Sequence, residues 1–432
     1  MTLPETKPSA ATSRRVHLVI PPLTQYACGN ISTLKFYVYY ILANLRRASI
    51  PVVLDDYLQD PKKFAQYKAS VLQKKYSDAD CVCVVIFQGN KGLSLDLLKL
   101  YRQKDSRPFV ILAGSFAGMF HDRYLKDRLA QAVILQDPET TLPQIIEKAP
   151  EKYGDIPHVA FVKNNKVYKT KGGEGHNLDA LPFVSPYFCR NKKKPVPFLT
   201  ARGCAFSCAF CDKRFFWGPG ISFRSIPNVL DEIELLYNRY GVRKIRFDDY
   251  DFLLKKQRAV TLCNALIKKR FKIRWECTTR PDAVDGKLLR LMRLAGCRTI
   301  HFGLESGSPQ ILRTLGKPLD IRKAVKNIRM AKTHDIRVGI FLIMGAPGET
   351  QETIRQTKSV LRRLRLDELL VNPLILLPGT RLFKSFLAKN GISFDDYFET
   401  DKTFIYPCDW KNLGRHMSPL ARFFEVKPSL TI

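Results

Sequence analysis

Cys204, Cys208 and Cys211 fall within eight residues of the 432-residue chain, in the stretch Arg202-Gly203-Cys204-Ala205-Phe206-Ser207-Cys208-Ala209-Phe210-Cys211. Their C-x3-C-x2-C spacing puts three thiolates on one short loop. Three thiolates can hold three irons of a 4Fe–4S cluster and leave the fourth iron without a protein ligand. An iron left open in this way is a place for chemistry rather than for electron storage alone. A structural zinc site would need a fourth donor to close. The next Cys or His downstream is Cys263, and the nearest upstream is Cys189. A disulfide framework is disfavoured, because the 11 cysteines are odd in number and nothing suggests secretion.

Such a loop needs a rigid base, and the sequence around it reads as one. From about residue 197 a β/α series begins, and polar or glycine-rich residues follow each apolar strand. Phe198-Leu199-Thr200 leads into the cysteines, and a strand at 244–247 ends in Asp248-Asp249. Strands at 273–277 and 299–304 end in Thr278-Thr279-Arg280 and Glu305-Ser306-Gly307-Ser308. Strands at 338–344 and 369–377 end in Gly345-Ala346-Pro347-Gly348-Glu349 and Pro378-Gly379-Thr380. Six repeats of this kind predict a partial (β/α)6 barrel of the TIM type, with its site at the carboxyl ends. Ser225 is placed to cap a helix with Pro227 in its first turn. Val229, Ile233, Leu236 and Tyr240 keep that helix's buried stripe.

Residues 15–150 show the same alternation in another style. Strands are expected at 16–20, 51–54, 81–87, 109–114 and 132–135, with helices at 33–48 and 93–102. The run at 81–87 is apolar throughout, as a central parallel strand buried on both faces requires. The pattern predicts an α/β fold with an N-terminal doubly wound parallel sheet. Ligands on such sheets sit outside the carboxyl ends of the strands, here 21–24, 88–90 and 114–117. A flexible N-terminus (1–14), a connector (151–196) with two short strands about Asn164-Asn165, and a C-terminal cap (386–432) complete the expected organisation.

Hydrophobic residues make up 45% of the chain, as in ordinary globular proteins. No apolar run reaches the roughly 20 residues of a membrane span, and the first 15 residues lack the apolar core of a secretory signal. A reducing cytoplasm is the expected compartment. The net charge of +31 raises nucleic acid as a partner. The charge is spread along the chain, however, with only short clusters such as Arg190 to Lys194, and no interleaved RNA-recognition signature is found. Nucleic acid is therefore possible but not favoured.

The motifs together identify a family. Thr200 through Gly218, then Phe223-Arg224-Ser225-Ile226 and Leu230-Asp231-Glu232-Ile233, resemble the core of radical S-adenosylmethionine (SAM) enzymes, in the class with an N-terminal cobalamin-binding domain. Phe247-Asp248-Asp249, Gly303 to Gly307 and Gly345 to Glu349 continue the match in order, over a core at 197–385. Ala113-Gly114-Ser115 and 136–142 resemble the cobalamin-binding domain at 15–150. The resemblance implies Cys204, Cys208 and Cys211 as cluster ligands and Phe210 near the adenine of SAM. It implies Glu305 and Ser306 toward the methionine or ribose, with Gly345 and Pro347 in a turn beneath the adenine. Asp248 is a further cofactor-binding candidate, and Gly114 and Ser115 are candidates for cobalamin. The cofactors implied are a 4Fe–4S cluster, SAM and cobalamin.

The loop at 23–29 departs from the D-x-H-x-x-G pattern of many cobalamin domains: it contains no His. Cobalamin is thus implied by architecture rather than by a ligand. The function expected is a cobalamin-dependent methyltransferase acting on an unactivated carbon of a small-molecule or peptide substrate, with an external electron donor. The alternatives are a cobalamin-independent radical SAM enzyme performing rearrangement, cyclisation or sulfur insertion, and a basic zinc-stabilised nucleic-acid binding protein. A tRNA methylthiotransferase would need a second cluster from Cys28, Cys81 and Cys83, two of which are expected on alternate faces of one buried strand. No residue is singled out as the catalytic acid or base. His301, Cys263 and Cys297 read as core residues, and Cys277 as core with a weak claim on the barrel mouth. Phe394, Tyr397, Tyr406, Trp410 and His416 offer aromatic surface to a substrate or packing for the cap.

Overall fold

Two parallel sheets built by β/α repetition organise the chain. The computed structural model describes residues 14–23, 31–73, 80–104, 108–173, 177–189, 194–218 and 220–400. Cys28 and most of the His-free loop lie outside the described residues, as do Arg190 to Lys193, Tyr406, Trp410 and His416.

The first sheet has seven strands in the order β2-β1-β3-β4-β5-β6-β7. Its elements are β1 (Arg15–Ile20), α1 (Ile31–Arg47), β2 (Val52–Asp56), α2 (Pro61–Gln73), β3 (Asp80–Val85), α3 (Lys91–Arg102) and β4 (Phe109–Ala113). Then come α4 (Ser115–Met119), α5 (His121–Lys126), β5 (Ala132–Ile134), α6 (Pro138–Glu147), β6 (Val159–Lys163) and β7 (Lys166–Lys169). β1 to β5 are parallel, and helices cover both faces. β6 and β7 add an antiparallel hairpin, so the two connector strands extend this sheet. Asn164 and Asn165 both take positive φ (51° and 60°), the turn geometry that suits a two-residue hairpin loop and that Asn tolerates. β3 is buried at every residue, as the unbroken apolar run predicts. The expected placement of Cys81 and Cys83 on alternate faces is corrected: residues two apart on a strand share a face. Both thiols enter the core beneath α1 and α6, while Val82 and Val84 enter the opposite one.

The second sheet has six parallel strands, β8-β11-β12-β13-β14-β15, open between β8 and β15. Its elements begin with β8 (Val196–Phe198), β9 (Ala201–Arg202), α7 (Lys213–Trp217), β10 (Ser222–Phe223), α8 (Ile226–Asn238), β11 (Lys244–Phe247), α9 (Lys256–Lys268) and β12 (Arg274–Thr279). They continue with α10 (Gly286–Leu294), β13 (Cys297–Glu305), α11 (Pro309–Thr314), α12 (Ile321–Thr333), β14 (Arg337–Met344), α13 (Gln351–Arg362), β15 (Glu368–Pro373), α14 (Arg381–Lys389) and α15 (Phe394–Glu399). Ser225 Oγ accepts from Asn228 N at 3.2 Å, the cap expected from the sequence. β9 and β10 form a short antiparallel ribbon at the base of the cysteine loop.

α14 and α15 fold back onto the first sheet, where Phe383, Leu387, Tyr397 and Phe398 share a core with Phe116 and Tyr124. Lys91 donates to Tyr397 O at 3.0 Å and lies 4.2 Å from the Tyr397 ring centroid. Tyr397 therefore packs the cap, and Phe394 adds a ring contact to Phe383.

Candidate active site at the cysteine loop

The loop from Gly203 to Asp212 leaves β9 through a turn that only glycine fits. Gly203 has φ +82°, and a Cβ there would collide with Gly220 O. Asp249, buried at the end of β11, holds the approach to the turn by accepting from Thr200 N (2.7 Å), Ala201 N (3.0 Å) and Thr200 Oγ1. On the far side Ala209 N donates to Leu315 O at 2.8 Å and Leu382 N to Ala209 O at 3.1 Å, so α11 and α14 grip the loop. Phe210 packs into a small core with Ile311, Leu315, Ala346 and Leu374.

All three cysteines are half-buried. Burial raises the Cys208 thiol, with Lys317 and Lys213 opposing, and pushes Cys211 up to about 12. Both shifts favour the neutral thiol, and since iron takes thiolates, cluster assembly would release protons. Cys208 feels Cys204, and Cys211 feels Cys208, so the three sulfurs form one electrostatic neighbourhood. Among the described residues no three His, Cys, Asp or Glu side chains converge tightly enough to share a single metal ion. A cubane makes no such demand, because each thiolate serves its own iron. Cys189 donates to Ser185 O at 3.8 Å and packs on the barrel core instead. The donor set fits a cluster better than zinc.

Across from the loop, β13 and β14 end in the residues expected to meet SAM. Glu305 takes φ +64° just after a register shift at the end of β13. It accepts from Lys317 Nζ at 2.7 Å, both side chains being buried. Gly303 makes room for this pair: a Cβ there would lie 2.6 Å from Lys317 Nζ and 2.7 Å from Glu305 Oε1. Ser306 Oγ lies 3.2 Å from Thr357 Oγ1 and accepts from Ser308 N at 3.1 Å. Ser308 Oγ is buried with no hydrogen-bond partner, an orphan hydroxyl at the end where a polar cofactor is expected. Gly345 N donates to Glu349 Oε2 at 2.6 Å, closing the turn that carries the half-buried Pro347. Glu305, Ser306 and Glu349 line one cavity with Met344 and Thr357.

The first sheet reaches this region through its own carboxyl ends. Ser32, at the start of α1, donates to Asp248 Oδ2 at 2.5 Å, and Arg246 donates to both. Asp248 is thus engaged between the halves. Arg202 pairs with Glu139 of α6 in a buried bridge, its guanidinium stacked 4.2 Å from Trp217 and 4.4 Å from Tyr40. Gly218 packs on Gln136, and Phe216 and Trp217 on Tyr37 and Phe87. Gly114, at φ +106° with no room for a Cβ, donates its N–H to Tyr37 OH at 2.8 Å, and Ser115 begins α4 beside it. The carboxyl ends of the two sheets therefore face each other across α7.

Residues 198–361 match the Radical SAM superfamily. The chain carries a radical SAM domain, and it is an enzyme. Such a domain implies a 4Fe–4S cluster and SAM. It is 26% identical over 360 residues to the uncharacterized methyltransferase PH0819 of Pyrococcus horikoshii, spanning 81% of this chain and 78% of that one. The cobalamin- and 4Fe–4S-bound structure of the radical SAM methyltransferase TsrM from Kitasatospora setae superposes with TM-score 0.68 at 16% identity, covering 87% of this chain and 75% of that one. The aqua-cobalamin-bound radical enzyme OxsB superposes with TM-score 0.70 at 18% identity, covering 94% and 66%. At these identities the likeness is one of fold, and it extends over both sheets.

Three features of this site escaped the sequence. Lys317 sits in a loop 12 residues past Glu305 and carries no motif of its own. Arg202 and Glu139 pair across 63 residues. Tyr250 lies within electrostatic reach of Asp212, Cys211 and Cys204. Cys277, in contrast, is buried under the helices with Cys263 and Cys297 and does not reach the barrel mouth. Among the described residues no helix is long and apolar enough to cross a membrane.

Proposed function

We propose that this chain is a cobalamin-dependent radical SAM methyltransferase acting on an unactivated carbon of a small-molecule or peptide substrate. The observation that carries the reading is the apposition of the two sheets' carboxyl ends, joined by Ser32–Asp248 and Arg202–Glu139. The names of PH0819 and TsrM, and the cobalamin bound in TsrM and OxsB, support it. When bound, cobalamin supplies a methyl carrier, and the cluster with SAM supplies a hydrogen-abstracting radical.

The chain's own residues divide the work. Cys204, Cys208 and Cys211 would hold three irons, and Phe210 anchors their loop in the core with Ile311, Leu315, Ala346 and Leu374. Glu305, Lys317, Ser306 and Ser308 offer paired charge and hydroxyls to the polar end of SAM, while Gly345 and Pro347 shape the turn beneath its adenine. Gly114 and Ser115 give the first sheet a small-residue edge on which a corrinoid can lie. The described strand ends at 21–23, 87–90, 114–117 and 135–137 carry no His, so they offer cobalt no imidazole. Phe216 and Trp217, packed on Tyr37, keep water from the boundary. Electrons would come from an external reductant, in keeping with a reducing compartment such as the cytoplasm.

The test is metal and product analysis of protein made with cobalamin supplied and its cluster rebuilt anaerobically. About one cobalt per chain should survive gel filtration, and deuterated-methyl SAM should label a substrate fraction. A chain retaining iron and forming 5′-deoxyadenosine but no cobalt would overturn the cobalamin assignment. OxsB, named only as a cobalamin-dependent radical enzyme, leaves a second reading, a cobalamin-dependent radical reaction without methyl transfer, which retained cobalt without label transfer would support.

A further inference from the structure

The inner face of the open barrel carries a second group of titratable side chains, separate from the cysteine loop. Strand alternation sends Phe247, Trp275, Cys277, Ile300 and Phe302 into the core beneath the helices. The alternate residues Arg246, Glu276, His301 and Phe341 are only half-buried and point the other way, into the lumen. Register sets Arg246 beside Glu276, and Gly339 between His301 and Glu368. Gly339 leaves space that the His301 ring fills, since a Cβ there would collide with it.

Each of these charges but one has a partner. His301 Nε2 lies 2.9 Å from Glu368 Oε2, and Arg337 donates to Glu368 Oε1 at 3.3 Å. Arg246 is taken by Asp248, donating from Nε at 2.5 Å. Glu276 accepts no hydrogen bond from any described residue, although His301, Arg246, Glu368 and Asp248 all act on it electrostatically. Phe341, whose ring centroid is 5.7 Å from that of His301, adds an aromatic wall. The sequence reads His301 as a core histidine because Ile300 and Phe302 flank it, yet the strand turns it to the opposite side.

We propose that Glu276, backed by the His301–Glu368 pair and Phe341, is the docking point for a protonated amine of the substrate. Calling that ligand the substrate rests on the proposed function; the binding site itself does not. Asp248 is offset by Arg246, and Glu368 by Arg337, which leaves Glu276 as the lumen carboxylate free to pair with an incoming cation. On the neighbouring strand His301 lies four residues below Glu305, and register sets Glu276 level with Thr299, six residues below it, roughly 20 Å along the strand. An amine docked there would belong to a long, extended substrate that runs up the lumen toward the SAM end. Burial is the largest influence on Glu276 and raises its pKa. The groups that face it are Arg246 from β11 and Asp248 just past its end, His301 from β13 and Glu368 from β15; β14 presents Gly339 and Phe341, with Arg337 turned to Glu368. Cation binding requires the ionised carboxylate, so affinity should rise as pH climbs through that elevated value.

The experiment is a histidine-ring NMR titration of the full chain, cluster reconstituted and oxidised, with benzylammonium as probe and benzyl alcohol and benzoate as controls. The His301→Gln variant assigns the signal. Benzylammonium should shift the His301 resonance saturably while the controls do not. Glu276→Gln should weaken binding roughly tenfold or more, the loss of one charge-assisted contact, and Glu276→Asp should retain most of it. No saturable shift, an equal response in Glu276→Gln, or preference for benzoate would overturn the proposal. Should Glu276→Gln fail to fold, Glu276→Asp and the pH dependence of wild-type binding decide it. The titration needs neither cobalamin nor turnover, so its failure and that of the methyltransferase reading are told apart.

Discussion

The two sheets follow the same β/α repetition but differ in how many faces they bury. β3 in the first is buried at every position, whereas β12 in the second alternates exposed or half-buried with buried residues along its whole length. A sheet sandwiched between helices can offer chemistry only at its strand ends, because any side chain along a strand lies in a core. A sheet curled into an open barrel keeps a second face. That face bears Glu276, Thr278 and His301, and its ends bear Asp249 and Glu305. The first sheet thus serves as a platform at its edge, and the second as both platform and chamber.

Cysteine separates the two regions most sharply. Cys208→Ala should remove most iron and sulfide from the reconstituted protein and lower 5′-deoxyadenosine formation on the order of a hundredfold or more. Cys83→Ala in β3 should leave iron content unchanged and cost about 1–2 kcal/mol of stability, read by denaturant unfolding. Equal iron loss in both would erase the distinction. The boundary between the regions comes next. Glu139→Gln strands the buried Arg202 charge and should cost about 3 kcal/mol. Lys269→Met, which breaks the exposed pair with Glu234, should stay within about 0.5 kcal/mol.

A smaller contrast tests the faces directly. Val84→Thr puts a hydroxyl without a partner into a closed core and should cost about 1–3 kcal/mol. Thr278→Val, on the lumen face, should change stability by no more than about 0.5 kcal/mol. The smallest expected effect concerns pH. Burial raises Glu349 above the ordinary carboxylate value. The native state then holds a proton that the unfolded chain has released, so this contribution is complete below the ordinary value. It is lost as pH rises through the elevated one. Glu349→Gln should flatten that decline in thermal midpoint between mildly acidic and neutral pH.

Much of this could be read from local sequence. The cysteine spacing, the unbroken run of β3, the Ser225 cap and the polar residues after each strand are local signals; β3 is buried throughout and Ser225 caps its helix as read. What sequence hid was pairing across distance. Asp248 meets Ser32 from 216 residues away, and Lys317 reaches Glu305 from an unremarked loop. His301 looked like core because its neighbours are apolar, although alternation alone would have turned it away from Ile300 and Phe302. The same rule, applied to Cys81 and Cys83, would have put both on one face. The hairpin of β6 and β7 joined the first sheet because β5 left an edge to cover, which no local pattern announces.

The account depends most on a cubane held by three thiolates with one iron left open. Mössbauer spectroscopy of the iron-57-reconstituted, oxygen-free protein tests this directly. A 4Fe–4S spectrum in which one iron site shifts when SAM is added, and not when S-adenosylhomocysteine is added, is the predicted result. A spectrum without a 4Fe–4S component, or one in which all four irons ignore SAM, would contradict it.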